Sequence, residues 1–259
     1  MTTSAEGALK IWRGEDWLRE RGAALAPVLA DPVSWLEQGR QIKVDSHSRV
    51  GLAEIGGDFC YIKYYGDKSV LQGLGNRLRG GRALAAWDAG QRLFQAGLPV
   101  ARPLLCLHLQ HAQLLVTQGF KDARDLKSLW LGEAESTQRA DWLRQCAELL
   151  GALHNHGFSH GDGKWSNLLF AGGGLRLVDL EAARGPGASA SSQARDLARF
   201  VLNAEELGVA RVDYDDFMSA YAGRRGIHRR LLEDGLMPAL EKLRTRHRQR
   251  YGDRGDRLL

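Results

Sequence analysis

Apolar residues in the first 120 positions follow two periods, about two residues in some segments and about 3.6 in others. Two short helical patterns come first, around Trp17-Leu18 and 33–36, and Pro27 and Pro32 are expected to break them. A longer helix is predicted over 84–96. Strands are predicted on both sides of that helix, at 41–44, 50–55, 59–65, 104–109 and 113–117.

The second half of the chain is predicted to be mostly helical. Apolar residues recur at helical spacing from 142 to 153, and further helices are expected over 194–207 and after Asp215. Between these helices, strands over 168–170 and 175–180 form a predicted hairpin. This hairpin would place Asn167 and Asp179 at its two outer ends. The whole pattern predicts an α+β protein with a β-rich first part and a helical second part.

Composition places the chain among ordinary globular proteins, with 44% hydrophobic and 26% charged residues in 259. The formal net charge of +5 equals the excess of seven Lys/Arg over two Asp in 242–259. Cys60, Cys106 and Cys146 are odd in number and lack metal-ligand or redox-motif spacing, which indicates buried, reduced thiols. With no signal-peptide or membrane-span pattern in the sequence, a cytoplasmic location is expected, and any membrane contact would be peripheral.

The most specific motif lies between the long helix and the hairpin. His160, Asp162, Lys164 and Asn167 follow the spacing H-x-D-x-K-x-x-N, typical of a kinase catalytic loop, and Asp179 follows an apolar strand twelve residues later. Each residue alone has an ordinary structural explanation, such as a turn cap or a strand end. Together, in this order and context, they indicate phosphoryl transfer.

Phosphoryl transfer assigns a role to each of these side chains. Asp162 is expected to accept the proton of the acceptor hydroxyl, and Lys164 to neutralise charge on the transferred group. Asn167 and Asp179 offer oxygen ligands to Mg²⁺. Lys63, in the predicted strand 59–65, is expected to contact the α- and β-phosphates of ATP. His160 is expected to pack and hydrogen-bond rather than to titrate.

Over residues 40 to about 205 the chain resembles the protein-kinase-like superfamily, and more narrowly the bacterial lipopolysaccharide core kinases that phosphorylate heptose or Kdo. The narrower resemblance rests on four segments: Ile62-Lys63-Tyr64-Tyr65, 96–104, His160-Gly161-Asp162 and Val178-Asp179-Leu180-Glu181. It implies ATP and Mg²⁺ as cofactors and action at the inner face of the inner membrane.

The resemblance also implies a bilobal protein-kinase-like fold with three parts. A helical extension would span residues 1–39, a small β-rich N-lobe 40–118, and a mostly helical C-lobe with a basic tail 119–259.

Two features depart from the superfamily pattern at the nucleotide site. No glycine-rich loop precedes the strand of Lys63, so Ser46 and Ser48 are the candidates to approach phosphate there. The helix glutamate that normally pairs with the strand lysine is absent, and Ala86 stands near its place. Asp88 or a residue from elsewhere would have to substitute, or Lys63 would be less well anchored.

Two other departures concern the acceptor. Gly161 replaces the arginine that senses activation-loop phosphorylation in many protein kinases, so that switch is expected to be absent. The segment after Asp179 is short, and only about sixty residues follow it. A small or glycan acceptor is therefore expected rather than a protein.

Basic clusters could contact an anionic glycolipid or the inner membrane surface, although solvated helix faces explain them equally well. The clusters comprise Lys68, Arg77, Arg79, Arg82, Arg224, Arg225, Arg229 and Arg230. No nucleic-acid partner is expected, because no aromatic-interleaved basic motif or zinc signature occurs. Three alternatives remain at this point: a kinase for another small molecule or a protein, a nucleotide-binding pseudokinase scaffold, and a basic nucleic-acid-binding protein.

Overall fold

The computed structural model describes residues 10–38, 40–45, 48–67, 81–252 and 254–259, with only the backbone considered for 40–45. These residues divide into two compact units. The first takes the described part of Met1–Phe94 with Ala101–Lys121, and the second takes that of Gln95–Val100 with Asp122–Leu259.

The first unit is built on a six-stranded antiparallel sheet flanked by helices. Its elements in chain order are β1 Lys10–Arg13, α1 Glu15–Ala30, α2 Pro32–Gln38, β2 Arg40–Asp45, β3 Ser48–Ile55, β4 Asp58–Gly66, α3 Arg82–Gln95, β5 Pro103–Leu109 and β6 Ala112–Gln118. The strand order is β1-β5-β6-β4-β3-β2. The predicted strands and the predicted helix over 84–96 are therefore present, with ends shifted by a few residues.

Because successive side chains of a strand point to opposite faces of the sheet, those of β4 pack into two different apolar clusters. Ile62 faces a cluster that includes Leu25 and Val28 of α1. Tyr65 faces a second cluster that includes Ala86 of α3. Apolar residues on both faces of one strand explain why the sheet is covered on both sides.

At the start of the chain, one prediction was wrong and one strand had not been predicted. Pro27 does not break α1, which runs to Ala30. The proline is exposed, so the carbonyl it leaves unbonded can reach water, while Leu25 and Val28 hold the helix on the sheet. β1 was not predicted from the sequence, because its four residues are ordered by pairing with β5.

The second unit is mainly helical and contains a small three-stranded sheet. Its elements are β7 Arg124–Asp125, α4 Leu126–Trp130, α5 Ser136–Asn155, β8 Leu168–Ala171, β9 Gly174–Leu177, α6 Ala190–Glu206, α7 Arg211–Arg225 and α8 Arg229–Tyr251. β7, β8 and β9 pair in that order. The hairpin and the long helix agree with the sequence pattern. β9, however, ends at Leu177 rather than at the expected Leu180.

A stack of aromatic rings fixes the centre of the second unit. Trp165, from the segment between α5 and β8, is fully buried. Its ring centroid lies 5.3 Å from those of Trp130 and Phe200. Phe200 in turn stacks on Phe217 of α7 at 4.2 Å. The segment that carries the predicted catalytic residues is thus anchored in the core by a large apolar side chain.

Candidate active site

The segment from Gly157 to Asn167 connects α5 to β8. Gly157 ends the helix with a positive φ of 75°. Ser159 and Arg184 then exchange two backbone hydrogen bonds of 2.9 Å, which tie the segment to the chain after β9. This segment, 157–167, is called the catalytic loop below.

Asp162 of the catalytic loop is contacted by three polar side chains. The Lys164 ammonium lies 2.8 Å from Asp162 Oδ2. The Asn167 amide nitrogen donates to the same oxygen at 3.1 Å and to the Asp162 carbonyl at 2.9 Å. Arg199 Nε of α6 lies 3.5 Å from Asp162 Oδ1. With its side chain 34% exposed, the carboxylate is both held in position and open to solvent. Such a group can accept a proton from a bound hydroxyl.

Asn167 and Asp179 are brought together by the β8–β9 hairpin. Asn167 immediately precedes β8 and is 5% exposed, and Val178 N donates to its carbonyl at 3.2 Å. Asp179 follows directly. Because the Asn167 amide nitrogen is used by Asp162, the amide oxygen is the atom that it can offer to a metal.

Asp179 has an unusual backbone conformation. Its φ of 62° makes it the one non-glycine residue with a positive φ among those that the structure describes. Aspartate tolerates this region better than most residues. The turn that results ends β9 early and begins a short 3-10 helix, Leu180–Ala182. Strained backbone of this kind is typical of functional positions.

His160 holds the catalytic loop against this turn. It is fully buried, and its Nε2 lies 3.0 Å from the Val178 carbonyl. The Asp162 backbone N–H points to its Nδ1 at 3.4 Å. Both ring nitrogens are therefore used in positioning.

Gly161 is required by close packing. Its φ is +79°, and a Cβ added there would lie 2.2 Å from the Ala182 carbonyl oxygen. The backbone leaves no room for the arginine that many protein kinases carry at this position.

Asp196 of α6 was missed in the sequence, yet it organises the catalytic loop. It is fully buried, and its carboxylate accepts the backbone N–H groups of His160 at 2.5 Å and Gly161 at 2.8 Å. A carboxylate without such donors would be expensive to bury. The available sequence signal was its position on the buried face of α6, three residues after Gln193 and four before Phe200.

A buried histidine and tyrosine support Asp196 from behind. His154 Nε2 lies 3.5 Å from Asp196 Oδ2, and His154 Nδ1 lies 2.6 Å from the Tyr221 hydroxyl. Burial lowers the pKa of His154 and raises the pKa of Tyr221 to about 12. Near neutral pH the tyrosine is thus protonated and the imidazole neutral. With the tyrosine donating to Nδ1, the proton of the neutral imidazole is on Nε2, the nitrogen nearer to the Asp196 carboxylate.

Lys63 and Ser48 belong to the first unit, on adjacent strands. Lys63 is 8% exposed, and its ammonium lies 5.2 Å from the centroid of the Tyr65 ring. Ser48 opens β3 and is opposite Tyr65. Ser46 lies outside the described residues. Asp88, considered above as a substitute for the missing glutamate, lies 3.9 Å from Arg13.

In the second basic cluster (Arg224, Arg225, Arg229 and Arg230), Arg225 and Arg229 are bonded to side chains of the protein, whereas Arg224 and Arg230 are exposed. Arg225 donates to Asn155 and Gln193, each at 3.0 Å. Arg229 bonds to Glu233 at 2.6 Å and to Asp215 at 2.5 Å. In the first cluster, Arg82 lies over the Tyr65 ring, while Lys68, Arg77 and Arg79 lie outside the described residues.

The basic residues of the C-terminal tail, 242–259, lie mostly on α8, and part of their charge is paired inside the protein. Arg244 is buried against Glu205. Lys242, Arg246 and Arg250 remain exposed along the helix. Among the helices that the structure describes, none has the length and apolar character of a membrane span.

The chain is similar to known proteins over most of its length. Residues 54–221 match the model of the family described as lipopolysaccharide kinase (Kdo/WaaP). The chain is also similar to a solved structure described as WaaP in complex with acyl carrier protein. That similarity has a TM-score of 0.64 at 19% identity and covers 90% of this chain and 97% of the other. No curated protein matched. The structural match confirms the α+β, kinase-like fold class.

Proposed function

Because the chain belongs to the lipopolysaccharide kinase (Kdo/WaaP) family, we propose that it transfers the γ-phosphate of ATP to a sugar hydroxyl of the inner core. The acceptor sugar is heptose or Kdo. Membership makes the chain a phosphotransferase that acts on lipopolysaccharide. The observation that supports phosphoryl transfer to a hydroxyl is the environment of Asp162, whose carboxylate is held by Lys164 and Asn167 and is still open to solvent.

Asp162 is the proposed general base. The hydrogen bond from the Asn167 amide nitrogen and the contact with the Lys164 ammonium keep its carboxylate in one orientation. An acceptor hydroxyl that donates to Asp162 would be aligned for attack and would lose its proton to the carboxylate. Asp196 acts as a positioning residue, because it fixes the two backbone amides that precede Asp162.

The donor set of Asn167 and Asp179 fits Mg²⁺. This ion prefers oxygen ligands and is usually bound by one or two carboxylates together with waters and substrate phosphates. An amide oxygen and one carboxylate next to each other on the hairpin match that preference. When bound, Mg²⁺ would neutralise negative charge on the phosphates of ATP.

Two lysines complete the proposed machinery. Lys164 already lies beside Asp162 and would neutralise charge on the transferred phosphoryl group. Lys63 is proposed to contact the α- and β-phosphates, and Ser46 and Ser48 to approach phosphate in place of a glycine-rich loop. We further propose a cytoplasmic location, with peripheral contact at the inner membrane through exposed basic side chains such as Lys242, Arg246 and Arg250.

The test offers Mg-ATP and dephosphorylated core glycolipid to the purified protein, to Asp162→Ala and to Asp122→Ala. Asp122 is an exposed aspartate outside the site and serves as the matched control. Phosphate on the sugar is read by mass spectrometry. We expect product with the wild type and Asp122→Ala, and a loss of at least about 1,000-fold with Asp162→Ala. Most of the turnover surviving in Asp162→Ala would overturn the assignment.

A further inference from the structure

Arg199 lies beside Asp162 and has no part in the mechanism described above. It sits on α6, one helical turn after the buried Asp196. Its Nε is 3.5 Å from Asp162 Oδ1, and its side chain is 30% exposed. The two cations therefore contact different oxygens of the carboxylate, because Lys164 contacts Oδ2.

The guanidinium is only partly used by this contact. A planar guanidinium has five N–H donors in a fork that matches a carboxylate or a phosphate. At 3.5 Å the Nε contact is an ion pair rather than a short hydrogen bond. Among the described residues, Asp162 is the one carboxylate within ion-pair distance of Arg199. The outer N–H groups of the fork are thus available to a ligand.

Helix α6 holds Arg199 in a fixed place relative to the base. Asp196 and Phe200, on either side of it in sequence, are buried and tie the helix to the catalytic loop and to the aromatic stack. Arg199 Nε is 3.5 Å from Asp162 Oδ1, and a group bound by an outer N–H of the same guanidinium would lie about 2.9 Å beyond that nitrogen. The bound group and a hydroxyl on Asp162 would therefore be close enough to belong to one sugar residue.

We propose that Arg199 binds an anionic substituent of the acceptor sugar, a carboxylate or a phosphate, next to the hydroxyl that is phosphorylated. This inference rests on the proposed function. Asp162 and Arg199 then recognise the acceptor together: the carboxylate takes the hydroxyl, and the guanidinium takes the neighbouring anion. An arginine fork favours charged oxygen pairs over neutral hydroxyls. The enzyme is thereby selective for acidic acceptors.

The experiment compares wild type, Arg199→Ala, Arg199→Lys and Arg144→Ala on three synthetic core sugars. One sugar carries a carboxylate beside the acceptor hydroxyl, one carries a phosphate there, and one is neutral. Arg144 is the matched control, because it is also a helical arginine paired with an aspartate, Asp141. Transfer is followed with Mg-ATP, and sugar binding is measured by calorimetry.

We expect the wild type to prefer the charged sugars, and their relative rates identify which anion is the natural one. Arg199→Ala should lower kcat/KM for the preferred sugar about 100-fold, mainly through KM, and this loss should exceed the loss on the neutral sugar by at least about tenfold. Arg199→Lys should recover part of the loss, and Arg144→Ala should match the wild type.

Two results would overturn the inference. An equal loss on charged and neutral sugars would mean that Arg199 acts on Asp162 or on the phosphoryl group instead. Unchanged affinity of Arg199→Ala for the charged sugars in calorimetry would exclude the contact itself. If the wild type bound these sugars but transferred no phosphate, the proposed function would fail while the anion contact was still decided by binding.

Discussion

Replacing Asp196 with asparagine should damage both stability and catalysis, because two backbone amides of the catalytic loop depend on its carboxylate. The substitution keeps the side-chain volume but leaves one oxygen to serve His160 N and Gly161 N. A hydrogen bond to a charged group contributes about 1.5–3 kcal/mol, and a buried donor without a partner costs about 1–3 kcal/mol. We therefore expect the free energy of unfolding to fall by about 3–5 kcal/mol.

The substitution should also lower kcat of the molecules that remain folded. The two amides immediately precede Asp162, and a displacement of about 1 Å at a catalytic group can lower a rate about 100-fold. We expect kcat to fall at least about 100-fold at a temperature where the variant is still folded, with a smaller change in the KM for ATP.

Urea denaturation followed by tryptophan fluorescence, together with steady-state transfer to the core sugar, measures both effects. Asp141→Asn is the matched control, since Asp141 is a half-exposed helical aspartate whose salt bridge should contribute less than about 1 kcal/mol. An Asp196→Asn variant within about 1 kcal/mol and threefold of the wild type would refute the positioning role.

Three further predictions follow from the same unit. Gly161→Ala should abolish measurable transfer and lower the melting temperature, because its Cβ would lie 2.2 Å from the Ala182 carbonyl at a φ of +79°; wild-type kinetics would contradict this. Burial lowers the pKa of His154 below 6.5, so below that pH the unfolded chain binds a proton that the folded chain does not, and stability decreases. In denaturation from pH 7 to 5, His154→Gln should therefore reduce the slope of stability against pH by up to about 1.4 kcal/mol per pH unit, and an unchanged slope would refute it. Arg244→Met should destabilise the protein by about 3 kcal/mol in urea denaturation, because it leaves the Glu205 carboxylate buried without its cation, and the double variant with Glu205→Leu should recover part of that loss.

The sequence identified those site residues that lie close together along the chain. His160, Asp162, Lys164 and Asn167 lie within eight positions, and their spacing is dictated by one tight loop, so a linear pattern carries the information. The hairpin that brings Asp179 near was also readable, because its glycine turn is short.

The residues that were missed act across longer distances in the chain. Asp196 and Arg199 reach the catalytic loop from a helix more than thirty positions away, and ordinary helix positions carry no motif. β1 becomes a strand only because β5, about a hundred positions later, offers it an edge. The continuity of α1 through Pro27 likewise depends on packing, which outweighs local propensity.

The burial of Trp165 has a consequence for how this enzyme fails on heating. Its indole belongs to the last part of the catalytic loop and is also part of the aromatic stack, where its N–H donates to the Phe200 carbonyl at 3.1 Å. The loop cannot fray without pulling a large ring out of the core, so local opening of the active site is suppressed. Thermal inactivation and cooperative unfolding of the second unit should therefore share one midpoint, and residual activity can serve as a direct gauge of the folded fraction.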